Sequence, residues 1–342
     1  MSDLQIGLIL LGVLLILVVV MFNWWQDRRI RQKMQEHFPE RDHDPLMGAQ
    51  APGPVRREPG FGAVLAQDDD DPAADDDAEV DPGTEVVIDI SFAQPVGSAQ
   101  LQQAVQGLVR VGSKPVRIFA ERDGGGHRAR LRANENYASM QLAIVLANRS
   151  GPLTDIEWSQ LWSAAQGLAE RFDGAIEAPE QDEVIRRAAQ LDQLCAGLDA
   201  QVGLILRLNQ TVSAGAARQV LEDAGFLPYG RQLAWMSDTG VPRFTALFDG
   251  IAPQEIKSES VNRVDLVLDL PNSPADEQAF SRMASVGRDL ARRLNAELLD
   301  DQGRPVLDGA DGTVDRQLFD LYRKLELAGF EAASERTVRV FS

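Results

Sequence analysis

Few residues in this chain have the types and spacing that chemistry needs. Gly124-Gly125-Gly126-His127 has the glycine density of a loop that cradles phosphates through backbone N–H groups. The Lys-Ser/Thr pair that closes such a loop is missing, and no helical pattern follows. The four residues lie between two strand-like runs, where a hairpin turn belongs. Asp300-Asp301 offers two carboxylates, but neighbours on a strand point to opposite faces and are poorly placed to share one substrate. His37, His43 and His127 are too few and too scattered for a metal site or for a Ser/His/Asp or Cys/His nucleophile set. The lone Cys195 excludes an intramolecular disulfide and a thiolate cluster, and suits a reducing compartment. The expectation is a non-enzyme with no catalytic residue, no cofactor and no metal.

Charge is the more informative chemistry. The 342 residues carry 34 Lys plus Arg against 52 Asp plus Glu, a net −18 that argues against nucleic acid as a partner. Ten of those charges are Asp68, Asp69, Asp70, Asp71, Asp75, Asp76, Asp77, Glu79, Asp81 and Glu85, uninterrupted by any base, so the rest of the chain carries only −8. From Pro39 to Thr84 hydrophobic periodicity is absent and prolines recur, so this stretch reads as a disordered, self-repelling acidic tether. A cation site would need spaced ligands on a folded loop.

From Leu4 to Trp25 no residue is charged. About 20 residues at ~1.5 Å each cross the ~30 Å core of a bilayer. Trp24 and Trp25 close the run at headgroup level, and Arg28, Arg29, Arg31 and Lys33 follow at once. That basic collar places the N-terminus outside and the C-terminal side in the cytoplasm. It is on the wrong side for a cleaved signal peptide. Residues 1–26 are therefore read as a transmembrane anchor and 27–84 as a basic juxtamembrane stretch plus tether.

Beyond the tether the pattern turns globular and repeats. The alternating run Val86–Phe92 matches Val202–Leu208 at a spacing of 116, and each is followed by an amphipathic stretch, Ser98–Leu108 and Ser213–Ala224. The same spacing pairs Val116–Asp123 with Gln232–Thr239. At a spacing of 122, Leu142–Leu146 pairs with Val264–Leu268, and Trp158 with Phe280. A last helix closes each copy, Asp182–Leu198 and Val314–Ala328. Each copy, 85–198 and 199–342, reads strand, helix, strand, strand, strand, helix, strand, helix. This is an α+β fold with helices on one face of an antiparallel sheet. In the second copy Pro274 and Asp276 start a helix whose stripe is Phe280, Met283, Val286, Leu290 and Leu294.

An ordered set of residues in the second copy resembles the ZipA family of cell division proteins. It comprises Leu266, Leu270-Pro271, Phe280, Leu299-Asp300-Asp301-Gln302 and Ala224-Gly225-Phe226. The apolar run, its terminal aromatics and the arginines behind it are similar as well. The resemblance covers Leu4 to Lys33 and about Gln201 to Gly329. The acidic tether and the copy at 85–198 depart from the family's layout. The resemblance implies a single-pass protein of the bacterial inner membrane at the division site. It also implies a split β-α-β domain, which the repeat extends to two tandem copies, the first degenerate, and a shallow apolar groove on the exposed sheet face for the C-terminal tail of FtsZ. The alternative is a membrane-tethered scaffold for another envelope or division partner. Homo-association through the membrane segment stays open.

Alternation sorts the strands of the second copy. Leu204, Leu206 and Leu208 face the core, as do Leu233, Trp235, Leu266, Leu268 and Leu270. The open face then carries Ile205, Ala234, Met236, Phe248 and Val267, bordered by Gln232, Arg207, Asp265 and Asp269. By alternation alone these residues could equally be buried against the first copy. The family resemblance favours a tail-binding groove. In the first copy Val87, Asp89 and Ser91 are more polar, so that copy is expected not to bind the same tail. It is expected to pack on the second copy or to hold another division protein.

Overall fold

The computed structural model describes residues 79–306, 309 and 311–342. The apolar run 4–25, the basic collar and most of the acidic tether lie outside the described residues. No helix among the described residues is long and apolar enough to cross a membrane.

The first lobe runs β1 (Glu85–Gly97), α1 (Ser98–Val105), β2 (Arg110–Val111), β3 (Lys114–Arg122), β4 (His127–Arg128), β5 (Asn136–Val145), β6 (Ala147–Asn148), β7 (Gly151–Pro152), α2 (Asp155–Phe172), β8 (Gly174–Glu177) and α3 (Gln181–Ala196). The second runs β9 (Gln201–Ser213), α4 (Ala214–Asp223), β10 (Leu227–Tyr229), β11 (Gln232–Met236), β12 (Pro242–Phe248), β13 (Ser260–Asp269), α5 (Ala279–Arg293), β14 (Ala296–Asp300), α6 (Asp311–Leu327) and α7 (Glu335–Val340). Every described strand pairing is antiparallel. The protein is α+β.

The sheet orders are β2-β3-β5-β1-β8 and β10-β11-β12-β13-β9-β14. They differ in one place. The repeat spacing matches β3 with β11, yet β3 lies directly against β5, whereas β12 separates β11 from β13. In the first lobe the strand after the glycine turn is only β4, two residues paired to the outer edge of β3. His127-Arg128 lacks the alternating apolar residues that would seat it inside a sheet.

Helices cover one side of each sheet. Val86, Ile88, Ile90, Leu142 and Ile144 are buried with Trp158, Leu161 and Leu168 of α2. Leu204, Leu206, Leu266 and Leu268 are buried with Phe280, Met283 and Leu290 of α5. The start of α2 is locally encoded. Thr154 and Glu157 form a reciprocal capping box, with the Glu157 N–H donating to the Thr154 hydroxyl at 3.2 Å. The start of α5 is not. The helix begins at Ala279 rather than at Pro274 or Asp276. The N–H groups of Phe280 and Ser281 donate to Asp315 of α6 at 2.9 and 3.1 Å. Asp276 accepts from the Gln278 N–H at 2.9 Å, just before the helix, and pairs with Arg243 and Arg282. A cap supplied from 35 residues away moves the boundary by three residues.

The tail of the acidic run is also not what charge alone suggests. Asp81 and Glu85 are structural rather than part of a repelled spacer. Asp81 accepts from the Gly83 N–H at 2.9 Å and pairs with Arg336. Glu85 is buried, with Arg117 at 3.0 Å and Arg339 at 2.9 Å. Arg339 belongs to α7, so this carboxylate joins the lobes. Arg149 makes a second joint, reaching Asp199 at 2.7 Å and Asp269 at 2.5 Å, while its N–H donates to the Ser342 carbonyl at 3.3 Å.

Candidate functional site

The site is built on the helix-free side of the second sheet, and strand pairing decides what stands there. Directly opposed residues of an antiparallel pair share a face. Leu206, Val264 and Phe248 are linked by such pairs, as are Leu204, Leu266, Ala246 and Leu233; all of them are core residues. On the other side Ile205, Asp265 and Leu247 form one cross-strand row, and Gly203, Val267, Thr245, Ala234 and Leu227 form the next.

Two of the five expected site residues are corrected by this register. Phe248 faces the core and is 1% exposed. The residues Phe244-Thr245-Ala246-Leu247-Phe248 hold apolar side chains in both phases of the alternation, and pairing of Phe248 with Val264 selects the phase. Leu247 takes the outward position instead. Ala234 does lie on the helix-free side, opposite Thr245 and Leu227, but it is 0% exposed. It floors the face beneath longer neighbours and offers no surface. Ile205 and Val267 are half-buried on the open side; Met236 is half-buried and pairs with Pro242 beyond a register shift after Trp235. Inside, Trp235 stacks on Phe244 at 6.0 Å, with Phe226 edge-on to both, which fixes the tilt of β11 and β12.

Sequence reasoning missed Leu247, Leu227 and Leu299. Leu227 is 55% exposed at the edge of the face. Leu299 is opposite Ile205 and buried. The signal that finds them is the cross-strand partner rather than alternation within one strand.

The rim is polar. Arg207 pairs with Glu297, Arg231 with Glu255, and Arg263 with Asp265 at 2.9 Å. Burial raises the Asp265 carboxyl above the ordinary range, with Arg263 pulling the other way. Asp269 is held by Arg149 of the first lobe. The face therefore offers aliphatic side chains on both sides of Asp265, whose charge is paired with Arg263, with further paired charges around them. It has no nucleophile and no carboxylate pair, and among the described residues no cluster of three or more His, Cys, Asp or Glu could hold a metal ion. Asp300 closes the turn after β14; N–H groups of Arg304 and Gln302 and the Arg304 guanidinium hold its carboxyl low. The glycine run is the turn between β3 and β4, with the Arg122 N–H donating to the Gly126 carbonyl at 3.0 Å.

An apolar row with a paired polar rim is a surface for an apolar peptide. Residues 248–313 match the model of the ZipA C-terminal FtsZ-binding domain. The ZipA resemblance is shown for that stretch. The ZipA match takes in β13, α5 and β14, and so Val267 and Leu299, and stops short of Ile205, Ala234 and Met236. The matched family is described by its binding of FtsZ, a protein. No curated protein matches the chain.

Outside the ZipA-matched stretch, the helix-free face of the first lobe differs in kind. Val87, Asp89 and Ser91 stand there opposite Ala143, Gln141 and Ser139, and Gln141 donates to Asp89 at 2.7 Å. On this face Phe119 lies under the Arg117 guanidinium at 4.6 Å and against the His127 ring at 5.3 Å.

Proposed function

We propose that the chain is a membrane-anchored division protein that binds the C-terminal tail of FtsZ on the open face of the second lobe and holds the Z-ring at the inner membrane. The observation that carries this reading is the row Ile205–Leu247 and its neighbour Val267, half-buried on the helix-free side of a sheet whose β13 and β14 lie in the ZipA-matched stretch. Met236 and Leu227 extend the row toward the β10 edge. An amphipathic tail laying its apolar side across this row buries aliphatic surface and leaves its polar side to the rim.

The anchoring half of the proposal is supported by the uncharged run 4–25 and the arginines after it. The lobe at 85–198 is taken as a degenerate copy of the same domain, because its order of strands and helices follows that of 199–342. Its polar face suits it to position the second lobe rather than to take the tail.

The test is calorimetric titration of the chain with an FtsZ tail peptide, alongside Leu247→Asp and Val267→Asp. A charge placed in the row should weaken binding by more than about tenfold, which is ~1.4 kcal/mol. Unchanged affinity in both variants overturns the site. No binding to the parent chain overturns the function.

A further inference from the structure

The hairpin β6–β7 belongs to the first lobe but meets the second on its helix-free side. There the residues stand in successive rows across the strands. Ile205, Asp265 and Leu247 form one row, and Gly203, Val267, Thr245, Ala234 and Leu227 the next. The pair Gln201 and Asp269 begins a third. The middle row is low. Gly203 has no side chain, and a methyl group built on it would meet only the Leu266 carbonyl, at 3.9 Å. Ala234 is fully buried and Thr245 is short. The row is therefore a trough with Val267 on its floor, and Ile205 and Leu247 stand along one side. From β9 to β10 it crosses five strands, about 19 Å, the length of roughly 13 helical residues.

The first lobe stands on the other side. Arg149, in the turn of the hairpin, grips Asp269 through both carboxylate oxygens, at 2.5 and 2.7 Å. Asp269 is two residues, or about 7 Å, along β13 from Val267. Gln201 and Asn272 hold the same carboxylate, and Arg149 also grips Asp199 between the lobes. The hairpin is a strut. The buried Lys114 ammonium donates from beneath to Asn148 Oδ1 and to the Gly151 carbonyl, both at 2.5 Å, and these two residues flank Arg149 and Ser150. The Arg149 N–H donates to the Ser342 carbonyl, and Ala147 pairs with Pro152. Ser150 at the tip is exposed.

We propose that this hairpin is one wall of the tail site, so that a tail lying in the trough touches both lobes. The inference rests on the tail reading of the second lobe and adds a contact from the first. A wall already held in place costs little ordering when the tail arrives. The degenerate copy then shares in recognition through its hairpin, while its polar sheet face stays out of the site.

Photocrosslinking in the full chain tests this, with p-benzoylphenylalanine in place of Ser150 in one variant and of Leu227 in another. Both positions are exposed, and the bond to Asn148 at position 150 comes from the backbone N–H, which the replacement keeps. The probe is a labelled FtsZ tail peptide. Both variants should cross-link it, and an excess of unlabelled peptide should abolish both products. Cross-linking from position 227 but not from 150 overturns the wall and leaves the tail site on the second lobe standing. A product from position 150 that survives competition overturns the wall as well. Peptide that binds the chain but cross-links from neither position overturns the face and the wall together, and no binding at all overturns the function they rest on.

Discussion

Replacing Phe248 with alanine separates a core residue from a contact residue. The ring is fully enclosed, pairs with Val264 across the ladder, and belongs to the core that holds Leu206 and Leu266. A buried phenylalanine removes at least about 150 Å² from water. At about 25 cal/mol per Å² that is ~4 kcal/mol. Core Phe→Ala changes that leave a cavity cost about 3–5 kcal/mol. The expected loss is therefore about 4 kcal/mol, a large part of the ~5–15 kcal/mol that holds a domain folded. Val267→Ala takes methyl groups from a half-buried outward position and should cost about 1 kcal/mol or less. Denaturant unfolding followed by near-ultraviolet circular dichroism reads both as shifts of midpoint at similar slope. Tail-peptide calorimetry on the folded proteins should rank them the other way, with Val267→Ala the weaker binder. A Phe248→Ala chain that keeps its stability to within about 1 kcal/mol and loses tail binding would put the ring on the open face and refute the register argument.

Other residues test the supports of that face. Glu85→Ala leaves Arg117 and Arg339 without their buried carboxylate and should cost about 3 kcal/mol in the same unfolding measurement. Arg149→Ala removes the joint to Asp199 and Asp269. Its groups are part-exposed, so the loss should be about 1 kcal/mol, with faster proteolytic cleavage near residue 199 as the clearer sign. Thr154→Ala breaks the capping box of α2 and should cost about 1 kcal/mol. The carboxyl of Glu157 is pushed up by burial, but hydrogen bonds from Thr154 and Ser113 outweigh this and hold it below the ordinary range. Its folded value lies under its unfolded one, so its contribution is complete above about pH 4.3 and is lost as the pH falls through the lower folded value. Glu157→Gln should flatten that acid arm of the stability profile, read as melting temperature between neutral and strongly acidic buffer.

What could be read from the chain depended on how far away the deciding partner was. The stripe Phe280, Met283, Leu290 follows helical spacing, and its burial in α5 needed only local pattern. Leu204, Leu206 and Leu208 alternate with Gly203, Ile205 and Arg207, so one phase is uniformly apolar and the other is not. In 244–248 both phases were apolar, and only Val264 on another strand could choose. The start of α5 was misplaced because Asp315 caps it from another helix. Asp81 and Glu85 looked like the end of a charge run because their arginines, Arg336 and Arg339, are some 250 residues later. The family resemblance was carried by an ordered set of residues. It pointed to the helix-free face without fixing which side chains stand on it.

The contrast between the two sheets explains why one face suits a tail and the other does not. In the second lobe the charges are paired, Asp265 within the row with Arg263 and Arg207 with Glu297, which leaves Ile205, Leu247, Val267 and Leu227 to meet an apolar partner. In the first lobe the centre itself is polar. Asp89 is bonded to Gln141, and Arg117 is shared between the Phe119 ring and Glu85. An apolar helix laid there would bury those groups without replacing their partners, at about 1–3 kcal/mol for each one left unmade. Arg339 of α7 pairs with Glu85 at the end of this sheet, so one of its charged groups already serves a contact with the second lobe.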